Sequence, residues 1–149
     1  MQIQPTTRED IETLAAQLGD RQRRDLLATR ELDPAIHEEQ MSTCFAAGEP
    51  IAIAGVLQFT DPGFLVAFAF LGKRALEHRL TLTRWGKACV RTTIERFDPR
   101  RIEITTRSDL RSHGEWAEVL GFEFEGVMAA WGEDGSDHDR YALVRQPRT

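Results

Sequence analysis

The chain has 149 residues, enough for one domain with a full core, and its 41% hydrophobic and 29% charged composition is that of an ordinary soluble globule. A formal net charge of −5 argues against a general nucleic-acid coat while leaving room for a local basic patch. No metal-ligand spacing joins the two cysteines, Cys44 and Cys89, no secretion signal opens the chain, and no apolar run reaches the roughly 20 residues of a membrane span, so a cytoplasmic protein with buried thiols is expected.

In chain order, Gln2-Ile3-Gln4-Pro5 reads as a short strand at or near a sheet edge, since Pro5 cannot donate to a ladder. Thr6 or Thr7 caps a helix, with Glu9 and Asp10 in capping-box positions and Ile11, Leu14, Ala15 and Leu18 on its apolar face. Gly19-Asp20 ends it and Asp20 starts a second helix, on which Arg21, Arg23 and Arg24 read as a solvated face. Asp33, after a break at Leu32-Asp33-Pro34, caps a further helical segment carrying Ile36 and Met41. Strands over 42–46 and 50–59 form a hairpin across Ala47-Gly48-Glu49, with Gly55 a bulge or close-approach position in the second. After the turn Thr60-Asp61-Pro62-Gly63, the run 64–70 is apolar on both faces, as a central strand requires. A long helix then reaches Phe97, with Leu82, Trp85, Cys89, Thr92 and Thr93 on one face, and Asp98-Pro99 stops it. A strand over 101–106 turns Ile102 and Ile104 inward, and Ser108 or Ser112 leads into a helix ending at Gly121. Strands over 122–131 and 140–145 close the chain around a polar loop, with Phe122 and Phe124 on one face and Tyr141 packing on the last strand.

This order of elements, together with Ile3-x-Pro5-Thr6 and Asp10-Ile11, Gly48-Glu49-Pro50-Ile51-Ala52-x-x-Gly55, and Leu120-Gly121-Phe122-x-x-Glu125-Gly126, resembles the GNAT (GCN5-related N-acetyltransferase) family over nearly the whole chain. The corner Trp116-x-x-x-Leu120-Gly121-Phe122 and a long Leu/Arg-rich helix without a glycine-rich entry are similar to the small GNAT-like proteins of phages and prophages. The resemblance implies an α/β fold, a single domain over residues 1–149 with a mixed, mostly antiparallel sheet flanked by helices. It also implies acetyl-CoA as cofactor, its pantetheine between two splayed central strands and its pyrophosphate on backbone N–H groups at the long helix's entry. On that reading Phe70, Leu71 and Gly72 at the strand end and Arg74, Arg79 and Arg84 at the helix are the cofactor-binding candidates.

Against the family's Arg/Gln-x-x-Gly-x-Gly/Ala pattern, this chain reads Arg74-Ala75-Leu76-Glu77-His78-Arg79, placing a carboxylate and a guanidinium at the glycine positions. The family's Asn and Tyr positions, counted back from Gly121, fall on Leu110 and Ala117, neither of which can protonate a leaving thiolate. No carboxylate lies on the central strand and Glu49 sits in a turn, so the catalytic candidates reduce to His78 and His113; His37 and His138 read as surface or loop residues. Arg84, Lys87 and Arg91 repeat at helical spacing beside Lys73, Arg74 and Arg79, either as a solvated face or as a basic surface for CoA phosphates, an acidic partner or nucleic acid. Three functions stay open: an acetyl-CoA-dependent N-acyltransferase of phage or prophage type acting on an unknown amine; a non-catalytic, virion-associated or protein-interaction protein; and an acyl-CoA or small-molecule binding module without turnover. The expected partners are an amine acceptor or a protein, not a membrane or a nucleic acid, and the exposed edge of the last strand leaves room for a homodimer.

Overall fold

A computed structural model describes residues 3–28, 40–58 and 60–146. The elements run β1 (Gln4–Pro5), α1 (Arg8–Ala15), α2 (Asp20–Ala28), β2 (Met41–Ala46), β3 (Glu49–Gln58), β4 (Phe64–Leu71), a 3-10 turn (Ala75–His78), α3 (Arg79–Phe97), β5 (Arg101–Arg107), α4 (Arg111–Val119), β6 (Glu123–Met128) and β7 (His138–Val144). The strands form one mixed sheet in the order β1-β2-β3-β4-β5-β7-β6, flanked by helices, as expected. The chain divides into two compact units, Met1–Val56 with Ala69–Cys89 and Leu57–Phe68 with Val90–Thr149.

In the first unit, the short β1 pairs antiparallel with β2 at the sheet's end, where Pro5 does least harm. Thr7 caps α1 with a complete capping box: its Oγ1 accepts from the Asp10 amide at 3.2 Å, and Asp10 Oδ2 accepts from the Thr7 amide at 2.9 Å. Thr43 Oγ1 on β2 lies 3.0 Å from both Asp10 Oδ2 and Thr6 Oγ1, so its one hydrogen goes to the carboxylate and it accepts from Thr6. The cap therefore also ties α1 to the sheet. Asp10→Ala removes the return half of the box and leaves the buried Thr43 hydroxyl without its acceptor; urea melts should show a loss of about 2 kcal/mol.

The basic cluster of α2 is not simply solvated. Arg23 turns back, its Nε donating to Ala15 O at 3.1 Å and its Nη2 to Leu18 O at 3.0 Å, which satisfies carbonyls at the end of α1. Met41 belongs to β2 rather than to a helix; the helical segment expected at Asp33 and Ile36 lies outside the described residues. The β2–β3 turn is one residue tighter than expected: Ala46 pairs with Glu49, and Ala47 and Gly48 take φ values of 51° and 79°, both in the left-handed region that a two-residue hairpin turn of the right twist needs. Gly55 pairs regularly with Met41, and the irregularity falls between Cys44 and Phe45, whose partners are Ala52 and Pro50. Cys44 is buried, and burial pushes its thiol up to about 11; Cys89, half-buried on α3, lies 3.2 Å from Ser42 Oγ.

In the second unit, Asp61 organises the turn before β4. Its Oδ1 accepts from the Gly63 amide at 2.9 Å, its carboxylate is clasped by Arg100, and the Arg100 amide donates to Gly63 O at 2.9 Å. Arg100 holds the Asp61 carboxyl down at about 2. This clasp fixes the start of the parallel β4–β5 ladder. Asp98, at φ 42°, closes α3 before Pro99, and Arg145 donates to Asp98 Oδ1 at 3.1 Å and to Pro99 O at 2.8 Å.

The corner after α4 is a Schellman motif: the Phe122 amide donates to Ala117 O at 3.1 Å and the Gly121 amide to Glu118 O at 3.0 Å, with Gly121 at φ 102°. Phe122 then enters the core with Leu65, Ile102, Ala117 and Tyr141, and Ile104, Leu120 and Leu143 pack around them. Phe124, expected on the same face, leans edge-on against Tyr141 at 5.6 Å between centroids but stays 52% exposed, because β6 is the sheet's outermost strand. The ladder slips between Phe124 and Gly126, which takes φ 147°.

Candidate functional site

The residues expected to hold a cofactor lie at the end of β4 and the entry of α3, all within the first unit. Phe70 and Leu71 are the half-buried last residues of β4. The Gly72 amide donates to Ile51 O at 2.8 Å, and a Cβ added there would meet Gln17 Oε1 at 2.4 Å and Leu14 Cδ1 at 2.8 Å. Glycine is needed here so that α1 can approach the strand end, and its N–H is already committed. The next turn is wound by bonds from the Ala75 amide to Gly72 O at 3.1 Å and from the Glu77 amide to Arg74 O at 3.2 Å. Among the described residues, the amides of Lys73 and Arg74 donate to no protein acceptor.

Glu77 does stand at the entry, but its charge is not isolated. Arg74 reaches it at 3.3 Å through Nε and Glu49 at 3.2 Å through Nη1. Glu49, read as a solvated turn residue, is thus part of an exposed triad with one guanidinium between two carboxylates. Lys73, Arg79 and Arg84 are exposed and have no carboxylate partner among the described residues. Four cations at the entry therefore face two carboxylates, and three of the four are available to an anion. His78 ends the 3-10 turn half-buried, its Nε2 without a hydrogen-bond partner. On α3 the buried face is Leu82, Trp85, Gly86 and Ala88; Thr92, expected on it, is exposed.

In the second unit the β4–β5 ladder covers only Phe64↔Arg101, Leu65↔Ile102 and Val66↔Glu103. It then stops, although β5 continues to Arg107 against β7 in unbroken register. Beyond the ladder's end, α4 begins at Arg111 with Leu110 as an N-cap that makes no side-chain bond. Neither serine expected to lead into this helix caps it: Ser112 lies inside, and the Ser108 hydroxyl donates to Asp139 Oδ1 at 2.6 Å.

His113 sits half-buried in the first turn of α4, and burial lowers its pKa below the ordinary 6.5. The folded value is therefore the lower one, so the unfolded chain binds more protons between the two. The contribution to stability is complete above 6.5 and is lost as pH falls through the folded value. In urea melts between neutral and mildly acidic pH, the wild type should lose stability more steeply than His113→Gln.

A feature the sequence reading missed lies beside it. A cavity of about 270 Å³ opens against α4, its walls including Ser108, Gly114, Glu115, Glu118, Asp139 and Tyr141. The one available signal was Gly114, a glycine inside a helical pattern. Among the described residues no group of three His, Cys, Asp or Glu side chains could hold a metal ion, and no helix is long and apolar enough to cross a membrane.

No protein-family model and no curated protein sequence matches the chain. Solved structures do. The chain is similar to RimL, a ribosomal L7/L12 alpha-N-protein acetyltransferase in complex with coenzyme A, with a TM-score of 0.71 and 16% identity over 95% of this chain and 92% of that one. It is similar to a ribosomal-protein-alanine N-acetyltransferase from Brucella melitensis, with a TM-score of 0.72 and 12% identity over 97% of this chain and 100% of that one. A GNAT-family acetyltransferase from Bacillus anthracis gives a TM-score of 0.70 and 10% identity over 95% of this chain and 93% of that one.

The fold is that of the GNAT acetyltransferases. At these identities the likeness carries the fold alone. The GNAT ruler counted from Gly121 still places Leu110 at the helix cap and Ala117 in the core, so neither position offers a titratable side chain.

Proposed function

We propose that the chain is an acyl-CoA-dependent N-acyltransferase of the GNAT fold. The observation that carries this reading is the end of the β4–β5 ladder at Val66 and Glu103 while β5 runs on. Past Glu103 the edge of β5 that faces β4 has no further strand pairing among the described residues, and an amide-containing pantetheine arm can hydrogen-bond to such an edge as a strand does. A CoA complex among the similar structures supports the choice of ligand.

The entry of α3 fits such a group by a different route from a glycine nest. Lys73, Arg79 and Arg84 would hold the phosphates, with the Lys73 and Arg74 amides as donors, and Arg74 contributes less charge because Glu49 and Glu77 share it. When bound, the cofactor supplies an activated thioester carbonyl. The chain's part is mainly positioning, since Leu110 and Ala117 offer no acid.

Leu110 and Ala117 also favour a second reading, a non-catalytic relative that keeps the ligand or serves as an interaction or virion-associated protein. The phage or prophage relationship rests on the Trp116–Phe122 pattern, and gene neighbourhood tests it. Turnover is tested by incubating labelled acetyl-CoA with a pool of primary amines. The acyltransferase reading expects an amide product, with Arg79→Ala and Arg84→Ala each raising KM for acetyl-CoA about tenfold at little change in kcat. Binding of acetyl-CoA with no product from any amine selects the second reading.

A further inference from the structure

We propose that β6 is a self-docking edge: two copies of the chain pair antiparallel through Glu123–Met128 about a two-fold axis between Glu125 and Gly126. The last strand, β7, is paired on both sides, so the open edge at this end of the sheet is that of β6. β6 has neither the lysine nor the proline that commonly blunts such an edge. It exposes Phe124 by 52% and Val127 by 58%, and Val119 and Trp131, 54% and 59% exposed, flank the strand in sequence.

The bulge identifies the occupant. Residues opposite one another in an antiparallel ladder share a sheet face. Phe124 opposes Tyr141 and Val127 opposes Asp139, so both point to the face that α4 covers. Glu123, Gly126 and Met128 oppose Ala142, Arg140 and His138 on the other face. Glu125 is the extra residue, and its pairing with Arg101, the neighbour of inward Ile102, puts it on that second face too. From Glu123 to Met128 the positions thus run away, toward, away, away, toward, away with respect to α4, an order that is the same from either end. A regular strand alternates strictly and would match it on only one side of the bulge. An antiparallel copy matches it throughout, without a slip.

In that register Phe124 meets Val127 of the second copy and Val127 meets its Phe124, so both exposed apolar side chains are covered on each side of the axis. Glu123 meets Met128 and Glu125 meets Gly126, so no carboxylate stands directly opposite another. The two Glu125 side chains lie diagonally across the axis, each held by its own Arg101. The bulge therefore excludes regular edge strands and admits a copy of itself. This pairing uses only the second unit and does not depend on acyl transfer.

Sedimentation equilibrium of the full chain over roughly 5–300 µM tests it. The wild type should be a reversible dimer, and Phe124→Lys and Val127→Glu should each weaken the dimer about tenfold. An equimolar mixture of the two variants should restore it, because the introduced lysine then opposes the introduced glutamate while the unchanged Val127 and Phe124 meet across the other half. Both positions are more than half exposed, so the variants should keep the wild-type far-UV circular dichroism. Val127→Glu decides alone if Phe124→Lys, which loses the contact with Tyr141, fails to fold. A wild type that stays monomeric at the top of that range, leaving the edge to a different protein, would overturn the proposal. So would a dimer that both variants leave unchanged, or a mixture no tighter than either variant alone.

Discussion

Trp85→Ala should lower the unfolding free energy by about 3–5 kcal/mol and the melting midpoint by roughly 10 °C. Trp85 is 1% exposed and is the largest fully buried side chain of α3, in the unit that carries the candidate cofactor entry. Truncation removes most of its apolar surface and leaves a cavity that the helix and sheet close only in part. Its indole Nε1 is buried without a hydrogen-bond partner, so the N–H adds a desolvation cost and no bond. Trp85→Phe, which discards that N–H and keeps an aromatic ring, should therefore cost only about 1–2 kcal/mol. Urea melts of the two variants, read at constant m-value, check both the size and the ratio.

Gly114→Ala should destabilise, although a free helical position would respond the other way. In an open site, replacing a helix-interior glycine by alanine gains about 1 kcal/mol. Here the new methyl would meet Tyr141 Oη at 2.3 Å and Cζ at 3.1 Å. The ring cannot swing clear, because it belongs to the Leu65–Ile102–Ala117–Phe122 core and Phe124 abuts its edge. Overpacking of this kind should outweigh the propensity gain and leave a net loss of about 2 kcal/mol. In a Tyr141→Phe background the atom at 2.3 Å is gone, so Gly114→Ala should cost less, with a coupling of at least ~1 kcal/mol in a double-mutant cycle. A stabilising Gly114→Ala would mean that the phenol sits elsewhere.

What could be read in advance follows the reach of the interactions. The Thr7–Asp10 box, the Asp98-Pro99 stop and the Leu120-Gly121-Phe122 corner are decided within a few residues, and the structure has them where the spacing put them. Arg23 and Ser108 differ from the expectation because their partners lie elsewhere in the chain. Arg23 folds onto α1 carbonyls, Ser108 serves Asp139 across 31 positions, and the amide of Gly72 is taken by Ile51. Glu77 stands at the helix entry, and its pairing with Arg74 is a rotamer choice no spacing rule reveals. The cavity at Tyr141 was missed for the same reason, since it needs β7 folded back against α4.

Whether this GNAT-fold chain holds an acyl-CoA is the central question of its function. Thermal melting of the full chain with and without acetyl-CoA measures that directly. At a hundred times its dissociation constant the ligand should add about 2.7 kcal/mol, raising the midpoint by roughly 5–10 °C, with the gain reduced in a Lys73→Ala/Arg79→Ala/Arg84→Ala variant. A midpoint unmoved at millimolar acetyl-CoA would contradict acyl-CoA binding.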